Sequence, residues 1–407
     1  ADGGLFVPKE FPPISLAEID AMREAPYSAR ALTVLARFLT DYSEDELKNC
    51  VETAYSKERF GDFPAPLHLL KDNLDVLELW HGPTCAFKDM ALQILPLFLT
   101  KAVQKTGEQK KLVILVATSG DTGKAAMAGF ADVPETEVIV FYPQEGVSDI
   151  QKLQMVTQRG ANVHAVAVEG NFDDAQTGVK ILFGSRPLAE ELQAHGCAFS
   201  SANSINWGRL LPQIVYYVYA YLELVRQGKR VLGEPMDVVV PTGNFGNILA
   251  AYYARKMGLP IRRLVCASNA NKVLTDFIRT GTYDRRREFH ATASPSMDIL
   301  ISSNLERLLL AITQEDSEVR GYMEQLNATG RYQVSDRVRE KIQKLFKGYC
   351  CGDEETKRVI AAIHEKFGYL IDPHTAVAFD VLDQYRRDTG DTTPTVVVST
   401  ASPLQVL

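Results

Sequence analysis

Several features that would point to other functions are missing from this chain of 407 residues. No apolar run approaches the roughly 18 residues of a membrane span, so we expect no membrane partner. The six cysteines show no C-x-x-C spacing, which argues against a zinc site or a disulfide framework. We therefore expect free thiols in a cytoplasmic protein that holds no metal. The net charge of −7 gives no electrostatic reason to expect a nucleic acid partner.

The composition is that of a globular protein. Hydrophobic and charged residues make up 46% and 23% of the chain, which is ordinary, and the length fits two or three domains. From Leu74 onward, apolar runs alternate with helix-like segments. Many of these runs are continuous, which is typical of parallel strands buried on both faces. We predict strands at residues 113–116, 138–142, 163–168, 237–240, 264–268 and 395–399.

The alternation of strands and helices predicts an α/β fold with two open, mostly parallel-sheet domains. Residues 15–60 show a helical period of polar and apolar positions, which indicates a helical segment before the sheets. We predict a mostly helical N-terminal segment at 1–75, a smaller α/β domain at 76–212 and a larger one at 213–407. Residues 275–369 give little strand signal, and we expect a helical insertion there.

One lysine stands in an unusual peptide, His-Gly-Pro-Thr-Cys-Ala-Phe-Lys-Asp-Met, at residues 81–90. Lys88 follows an apolar pair and opens an apolar run of helical period, so we expect it at the buried start of a helix. Burial disfavours the charged form of a lysine, whereas a neutral or imine-linked lysine avoids that cost. A pyridoxal phosphate Schiff base needs a lysine of this kind. The alternative is a surface lysine in the turn before a helix.

Two further segments connect a strand-like run to a helix-like one. The first, Ala-Thr-Ser-Gly-Asp-Thr-Gly at residues 117–123, presents backbone N–H groups and hydroxyls at a helix N-terminus, an arrangement that binds anions. It is not a nucleotide-binding P-loop, because Ala125 stands where a metal-binding Ser or Thr is required. An ordinary strand-to-helix turn capped by Asp or Thr is the alternative.

The second segment is Pro-Thr-Gly-Asn-Phe-Gly-Asn at residues 241–247. Its glycines allow a close approach of a ligand or a positive φ, and Asn244 and Asn247 add side-chain donors. A phosphate there would be held by backbone amides and the helix dipole. The G-x-G-x-x-G spacing of a dinucleotide site is missing. Ligands of open α/β sheets bind beyond the carboxyl ends of strands, where we expect both segments and Thr400.

These motifs resemble those of the threonine synthase family, pyridoxal phosphate enzymes of the tryptophan-synthase-β fold type. The resemblance extends from Asp2 to Ser402 and includes the lysine peptide and both connecting segments. Further segments that resemble family motifs are residues 203–209, 211–216, 294–298, 303–307 and 372–376. Residues 1–8 resemble an internal family motif and residues 404–407 depart from the family pattern, so we expect residues to be missing at both ends.

The resemblance implies a role for each motif, with pyridoxal phosphate in the cleft between the two sheet domains. Lys88 is implied to hold the cofactor and to act as the catalytic base. The residues implied to bind the cofactor are Lys88, Gly243, Asn244, Phe245, Gly246, Asn247 and Thr400. Thr400 is implied to bond the pyridine nitrogen, with Ser399 or Ser402 as the alternative. The residues implied to bind the substrate are Ser119, Gly120, Asp121 and Thr122 at its carboxylate, and Thr84, Lys124, Asn203 and Arg209 at its phosphate.

The activity that the resemblance implies converts O-phospho-L-homoserine and water into L-threonine and phosphate, the last step of threonine biosynthesis. Asp121 is expected to orient its loop or a hydroxyl, because its charge repels a substrate carboxylate. Two alternatives stay open: a related phospho-lyase that releases 2-oxobutyrate, and a catalytically silent binding homologue. We expect a small-molecule substrate and a monomer or small homo-oligomer.

Overall fold

A computed structural model describes residues 4–145 and 147–405. Residues 1–3, part of the segment that resembles an internal family motif, and residues 406–407 lie outside the described chain. The strands are β1 Leu67–Lys71, β2 Leu74–Glu78, β3 Lys111–Ala117, β4 Thr136–Pro143, β5 Val163–Val168, β6 Cys197–Ser201, β7 Met236–Pro241, β8 Ile261–Ser268, β9 Thr282–Asp284, β10 Arg331–Gln333, β11 Phe346–Cys350 and β12 Thr395–Ser399. The helices are α1 Leu16–Ala21, α2 Tyr27–Leu35, α3 Glu44–Ala54, α4 Lys57–Phe60, α5 Asp89–Leu92, α6 Leu95–Thr106, α7 Asp121–Phe130, α8 Asp149–Val156, α9 Phe172–Gly184, α10 Arg186–Ala194, α11 Trp207–Arg226, α12 Gly246–Met257, α13 Val273–Thr280, α14 Leu305–Thr313, α15 Asp316–Thr329, α16 Asp336–Leu345, α17 Asp353–Phe367 and α18 Pro373–Thr389.

The helices α1 to α4 precede the sheets and confirm the predicted N-terminal helical segment. Ser15 and Ser43 each begin a helix with a capping box, in which the serine hydroxyl accepts a backbone N–H and a glutamate accepts the serine N–H. Such caps satisfy N–H groups that have no partner within the helix, and they fix where α1 and α3 begin. α2 packs on α11, where the buried Arg30 and Glu223 form an ion pair at 2.8 Å.

Two sheets organise the described part of the chain around the site. The six-stranded sheet has the order β1-β2-β12-β7-β8-β11; β1 is antiparallel to β2, and the other pairs are parallel. The four-stranded sheet has the order β5-β4-β3-β6 and is parallel throughout. A short antiparallel pair, β9 and β10, is separate from both. The predicted α/β class with two open, mostly parallel sheets is confirmed.

The strand prediction succeeded for the apolar strands and failed for the mixed ones. Each of the six predicted strands lies within β3, β4, β5, β7, β8 or β12. Six strands were missed, namely β1, β2, β6, β9, β10 and β11. In β2 the charged residues Asp75 and Glu78 interrupt the apolar pattern, and in β11 Lys347 does so. Residues 275–369 contain α14 to α17 as expected, but three strands there are corrections: β9 and β10 pair with each other, and β11 pairs with β8 and adds a strand to the large sheet.

The predicted domain boundaries, after residue 75 and after residue 212, stay a prediction. β1 and β2, which lie before and across the first boundary, both belong to the six-stranded sheet. α11 continues through the second boundary, and its residues are buried there. The chain therefore passes from the small sheet to the large one through a buried helix that can place side chains at the site between them.

Candidate active site

A cleft lies where strands of the two sheets end. β3 leads into α7, β7 leads into α12, and Thr400 directly follows β12. Residues from all three strand ends line the cleft together with Lys88. The cleft encloses about 650 Å³ of space, part of it open to solvent. This position agrees with the expectation that ligands of parallel sheets bind beyond the carboxyl ends of strands.

Lys88 stands directly before α5, at the start of a helix as the sequence predicted. Its side chain is 12% exposed, and its Nζ atom lies 3.2 Å from Oδ2 of Asp121. Phe87 donates its backbone N–H to the carbonyl of Thr400 at 2.8 Å, which ties the lysine peptide to the end of β12. Burial lowers the pKa of Lys88, although the charge of Asp121 opposes that shift. A lysine that loses its proton more readily suits an imine link to a cofactor.

Asp121, the first residue of α7, connects several groups in the cleft. Its carboxylate accepts hydrogen bonds from Lys88, from Nε2 of Gln151 at 2.6 Å and from the hydroxyl of Ser296. Burial acts to raise the pKa of Asp121, but the charges of Lys88 and Lys124 outweigh burial and hold the pKa well below its usual range. Asp121 is therefore ionised, and its carboxylate forms ion pairs with Lys88 and Lys124.

Thr118, which was not predicted as a site residue, shapes the turn between β3 and α7. Its Oγ1 atom accepts the backbone N–H groups of Gly120 and Gly123, both at 2.9 Å. Gly120 has a φ of 135°, and a Cβ atom there would lie 2.1 Å from Oε1 of Gln151. Only glycine adopts this conformation without strain, so Gly120 is required for the shape of the turn.

The turn between β7 and α12 has the shape of a phosphate site. Phe245 adopts the positive φ, 64°, that we expected from the glycines. Gly243 is required for a different reason: there is no room for a side chain, because a Cβ atom at this position would lie 2.9 Å from the carbonyl oxygen of Ser296. The turn leads into the N-terminus of α12, where the helix dipole and free backbone N–H groups favour an anion.

Asn247, in the first turn of α12, offers a donor to this turn. Its Oδ1 atom accepts the hydroxyls of Tyr216 at 2.7 Å and Tyr217 at 2.5 Å, both on α11. Its Nδ2 atom is buried and has no hydrogen-bond partner among the described residues. Buried polar groups in folded proteins are normally paired, and an anionic oxygen would satisfy this one. The turn therefore fits the phosphate of pyridoxal phosphate.

Thr400 lines the cleft, whereas the hydroxyls of its neighbours are engaged elsewhere. Ser399 accepts Nε1 of Trp80 at 3.0 Å and bonds to the hydroxyl of Thr375 at 2.9 Å. The hydroxyl of Ser402 accepts a backbone N–H two residues further on, at 3.4 Å. The geometry favours Thr400 over the two serines as the partner of a cofactor ring nitrogen.

Two of the residues predicted for a substrate phosphate are buried cations with unpaired nitrogens. The Nζ atom of Lys124 has no hydrogen-bond partner in the described chain, and Oδ1 of Asp121 lies 3.5 Å from it. Arg209 donates one nitrogen to the carbonyl of Ala202 at 2.5 Å, while its Nε atom is unpaired within the same described ranges. Burial lowers the pKa of Lys124 and lowers the pKa of Arg209 to about 10. Such groups are costly to bury without a partner, so they suit an anion.

The other two predicted phosphate ligands are less well placed. Thr84 donates its backbone N–H and its hydroxyl to Asp89, both at 2.8 Å. Burial raises the pKa of Asp89 to about 6, and the bonds from Thr84 oppose that shift. The Oδ1 atom of Asn203 is buried and unpaired among the described residues, and because that atom is an acceptor, only the amide Nδ2 of Asn203 could donate to a phosphate.

The structure brings most of the predicted site residues into the cleft. Those that line it are Lys88, Asp121, Thr122, Arg209, Gly243, Asn244, Phe245, Gly246, Asn247 and Thr400. Among the described residues, the predicted site residues that do not line the cleft are Thr84, Ser119, Gly120, Lys124 and Asn203. Lining residues that were not predicted include Ser204, Gln213, Ser296, Met297 and His374. Ser296 and His374 lie in segments singled out by the family resemblance, at residues 294–298 and 372–376, which was the available signal.

Other kinds of site find little support in the described residues. No described helix is both long enough and apolar enough to cross a membrane. No group of three or more His, Cys, Asp or Glu side chains is placed to hold a metal ion in residues 4–145 and 147–405. The six cysteines are free, and burial raises the pKa of the Cys85 thiol, which makes it a poor nucleophile.

Comparisons with known proteins point to the same cofactor. Residues 67–401 match a family model described as pyridoxal-phosphate dependent enzyme, and residues 1–55 match one described as threonine synthase N terminus. A threonine synthase from Pseudomonas aeruginosa is 39% identical across 100% of this chain and 83% of its own length. A solved structure, PLP-bound threonine synthase from Brucella melitensis, has a TM-score of 0.91 and 38% identity, covering 100% of this chain and 84% of that one.

Human threonine synthase-like 1 is 44% identical across 98% of this chain. This chain spans 55% of the length of that relative, about half.

The match over residues 67–401 places the chain among the pyridoxal-phosphate dependent enzymes, and pyridoxal 5′-phosphate is its cofactor. The unpaired donor of Asn247 and the buried Lys88 fit that cofactor. Within this class, its full-length similarity to the Pseudomonas and Brucella proteins shows that the chain belongs to the threonine synthase family.

Proposed function

We propose that this chain converts O-phospho-L-homoserine and water into L-threonine and phosphate. The observation that carries the proposal is the presence of two sets of unpaired buried donors near Lys88. Asn247 supplies one set, and Lys124 with Arg209 supplies the other. The first suits the cofactor phosphate, and the second suits a phosphate that the substrate brings.

Lys88 is the proposed attachment residue and the proposed base at the substrate's α-carbon. Because burial lowers its pKa, it exchanges a proton at lower pH than an exposed lysine does. When bound, pyridoxal phosphate supplies the electron sink for the charge left at that carbon. We propose that residues 243–247 hold the cofactor phosphate and that Thr400 bonds the ring nitrogen. Because a hydroxyl is neutral, it favours protonation of the ring nitrogen less than an aspartate would, and the cofactor ring therefore withdraws electrons less strongly.

The substrate's carboxylate is proposed to lie against the turn of Ser119, Gly120 and Thr122, at the N-terminus of α7. Asp121 belongs to the same turn, but its charge is taken up by Lys88 and Lys124, which limits repulsion of the carboxylate. The substrate's phosphate is proposed to pair with Lys124 and Arg209. Thr84 and Asn203 stay as further candidates, and Thr84 would first have to leave Asp89.

A related phospho-lyase that releases 2-oxobutyrate is the second candidate. Both candidates use Lys88 and both turns, so the site alone does not separate them. A catalytically silent homologue would have no need for the unpaired donors around Lys88. Cytoplasmic location and a monomer or small homo-oligomer remain predictions.

The test measures L-threonine, phosphate and 2-oxobutyrate together, with O-phospho-L-homoserine and pyridoxal phosphate present. Equimolar threonine and phosphate, both lost in Lys88→Ala, would support the synthase activity. Phosphate with 2-oxobutyrate and little threonine would support the phospho-lyase instead. Failure to form any product, with cofactor bound, would leave the silent homologue.

A further inference from the structure

His374, the second residue of α18, bonds to Asp372 with one ring nitrogen. Asp372 caps the helix, and its Oδ2 atom lies 2.6 Å from Nδ1 of His374 and accepts the backbone N–H of the same residue at 3.0 Å. The side chain of His374 is 6% exposed and that of Asp372 is fully buried. An ionised carboxylate only accepts hydrogen bonds, so Nδ1 carries the proton and Nε2 is the acceptor of the neutral ring.

The second ring nitrogen of His374 is unused. Nε2 is buried and has no hydrogen-bond partner in the described part of the chain. The residue nevertheless lines the cleft, together with Lys88 and Thr400. A buried acceptor without a partner costs about 1–3 kcal/mol, and a histidine that served only to pack α18 would gain nothing from that cost. The position of Nε2 at the cleft indicates that a bound ligand supplies its hydrogen-bond partner.

Three carboxylates are placed around His374, while Lys88, a cation that lines the same cleft, is paired with one of them, Asp121. Asp372 bonds it directly from its own helix. Asp121 on α7 and Asp298, between β9 and α14, interact with it electrostatically from the elements opposite. The ring of His374 is therefore faced by carboxylates from three separate segments of the chain.

Asp372 also connects this histidine to the end of β12. Its other oxygen accepts the hydroxyl and the N–H of Thr375, and Thr375 bonds to Ser399 at 2.9 Å. Ser399 directly precedes Thr400, the proposed partner of the cofactor ring. One buried carboxylate thus positions His374 and helps to fix the strand end beside it.

We propose that His374 is a second catalytic residue, which takes a proton from the water molecule that adds to the substrate. The inference rests on the proposed synthase activity. A lone pair of the water oxygen forms the bond to the β-carbon, and the water proton passes to Nε2 as its O–H bond breaks. Before this step, the α-carbon and β-carbon each lose a proton, the phosphate leaves with the electrons of its C–O bond, and the γ-carbon gains a proton, which leaves a double bond between the α- and β-carbons. When the water adds, the electron pair of that double bond moves to the α-carbon, where Lys88 returns a proton. Nε2 later releases its proton to solvent.

The test compares the holoenzyme with His374→Asn. Asparagine keeps a donor near the position of Nδ1, so the bond to Asp372 can persist, but it has no group in place of Nε2. His164→Asn is the matched control, because His164 also pairs with a carboxylate, Glu137 at 2.9 Å, on the small sheet. Each enzyme is given O-phospho-L-homoserine, and threonine, 2-oxobutyrate and phosphate are measured together.

We expect His374→Asn to release phosphate but to form about a hundredfold less threonine, with the missing carbon appearing as 2-oxobutyrate. The control should keep the wild-type ratio of threonine to phosphate. An unchanged ratio in His374→Asn would overturn the proposal, and so would an equal fall of threonine and phosphate. A wild-type enzyme that forms only 2-oxobutyrate would overturn the synthase activity and the water step together.

A measurement without turnover provides a second readout. In holoenzyme with ¹⁵N-labelled histidine, the Nε2 resonance of His374 is identified by its absence in His374→Asn. Addition of a phosphonate isostere of the substrate should shift that resonance, because the ligand reaches the cleft next to Nε2. An unchanged resonance at saturating ligand would contradict any contact of His374 with the substrate.

Discussion

The Nζ atom of Lys88 and the Oδ2 atom of Asp121 lie 3.2 Å apart. The lysine belongs to a peptide tied to the end of β12, and the aspartate begins the helix that follows β3. The ion pair therefore joins the ends of strands from both sheets. Burial and this single carboxylate act in opposite directions on the pKa of Lys88, so the pair sets how readily the lysine loses its proton.

Replacing Asp121 with Asn should lower the pKa of Lys88 further. The charge of Asp121 opposes the effect of burial, and its removal leaves burial less opposed. Only the neutral amine attacks an aldehyde, so cofactor attachment speeds up as pH rises through the pKa of Lys88. Stopped-flow absorbance of pyridoxal phosphate binding to the apoenzyme, across a pH series, should show a midpoint at lower pH in the variant. A midpoint at higher pH would contradict this electrostatic account.

Gly120→Ala should destabilise the fold and disturb the turn before α7. The alanine would have to hold a φ of 135° and would meet Gln151, at a cost of about 1–3 kcal/mol. Gly178→Ala is the control, because Gly178 lies inside α9 with open space around its Cβ position. That change should stabilise by about 0.5–1 kcal/mol. Denaturant unfolding measures both, and equal effects would refute the requirement for glycine at residue 120.

Asn247→Asp should weaken binding of pyridoxal phosphate about tenfold to a hundredfold. The aspartate keeps the acceptor for Tyr216 and Tyr217 but replaces the unpaired donor with a negative oxygen. A charge-assisted hydrogen bond contributes about 1.5–3 kcal/mol, which corresponds to that range. Titration of apoenzyme with cofactor gives the affinity, and Tyr217→Phe serves as a milder comparison. Unchanged affinity in Asn247→Asp would exclude Nδ2 as a phosphate ligand.

Lys124→Met should separate stability from ligand binding. The apolar variant loses the ion pair with Asp121 at 3.5 Å, but Asp121 keeps its bonds to Lys88, Gln151 and Ser296, so the melting temperature should fall only slightly. Inhibition by inorganic phosphate should become weaker, because one cation of the proposed site is lost. Lys111→Met, at a half-exposed ion pair with Glu137, should change neither property appreciably. A clear fall in melting temperature with phosphate inhibition intact would assign Lys124 a purely structural role.

Continuous apolar strands could be predicted because an uninterrupted run of apolar residues in the local sequence itself indicates a strand that is buried on both faces. β7 and β12 are buried at every position, and their runs of valine show it. β11 is different, since its neighbours in the large sheet allow Lys347 and Gly348 to sit in a strand whose own composition suggests a loop. Such strands are specified by their partners, so a reading of local pattern alone misses them.

The site shows the same division between local and distant information. Lys88 and its peptide could be recognised because the motif is contiguous. The hydrogen bond from Ser296 to Asp121 joins residues that are 175 positions apart in the chain, so no local sequence pattern predicts it. The positive φ of Phe245 was also unpredictable, because glycines flank it and are the residues that normally adopt that conformation.

Helix α11 has a consequence for which substrates the site accepts. Arg209 lies in its first turn, and Tyr216, seven residues later, holds Asn247. At a rise of 1.5 Å per residue, these two positions are about 10 Å apart along α11, with Pro212 inside the helix between them. The residues proposed to hold the two phosphates are thus both positioned by α11, which packs against α2 and α12. If the two proposed phosphate positions are correct, we expect phosphorylated amino acids with longer or shorter side chains to fit both positions less well.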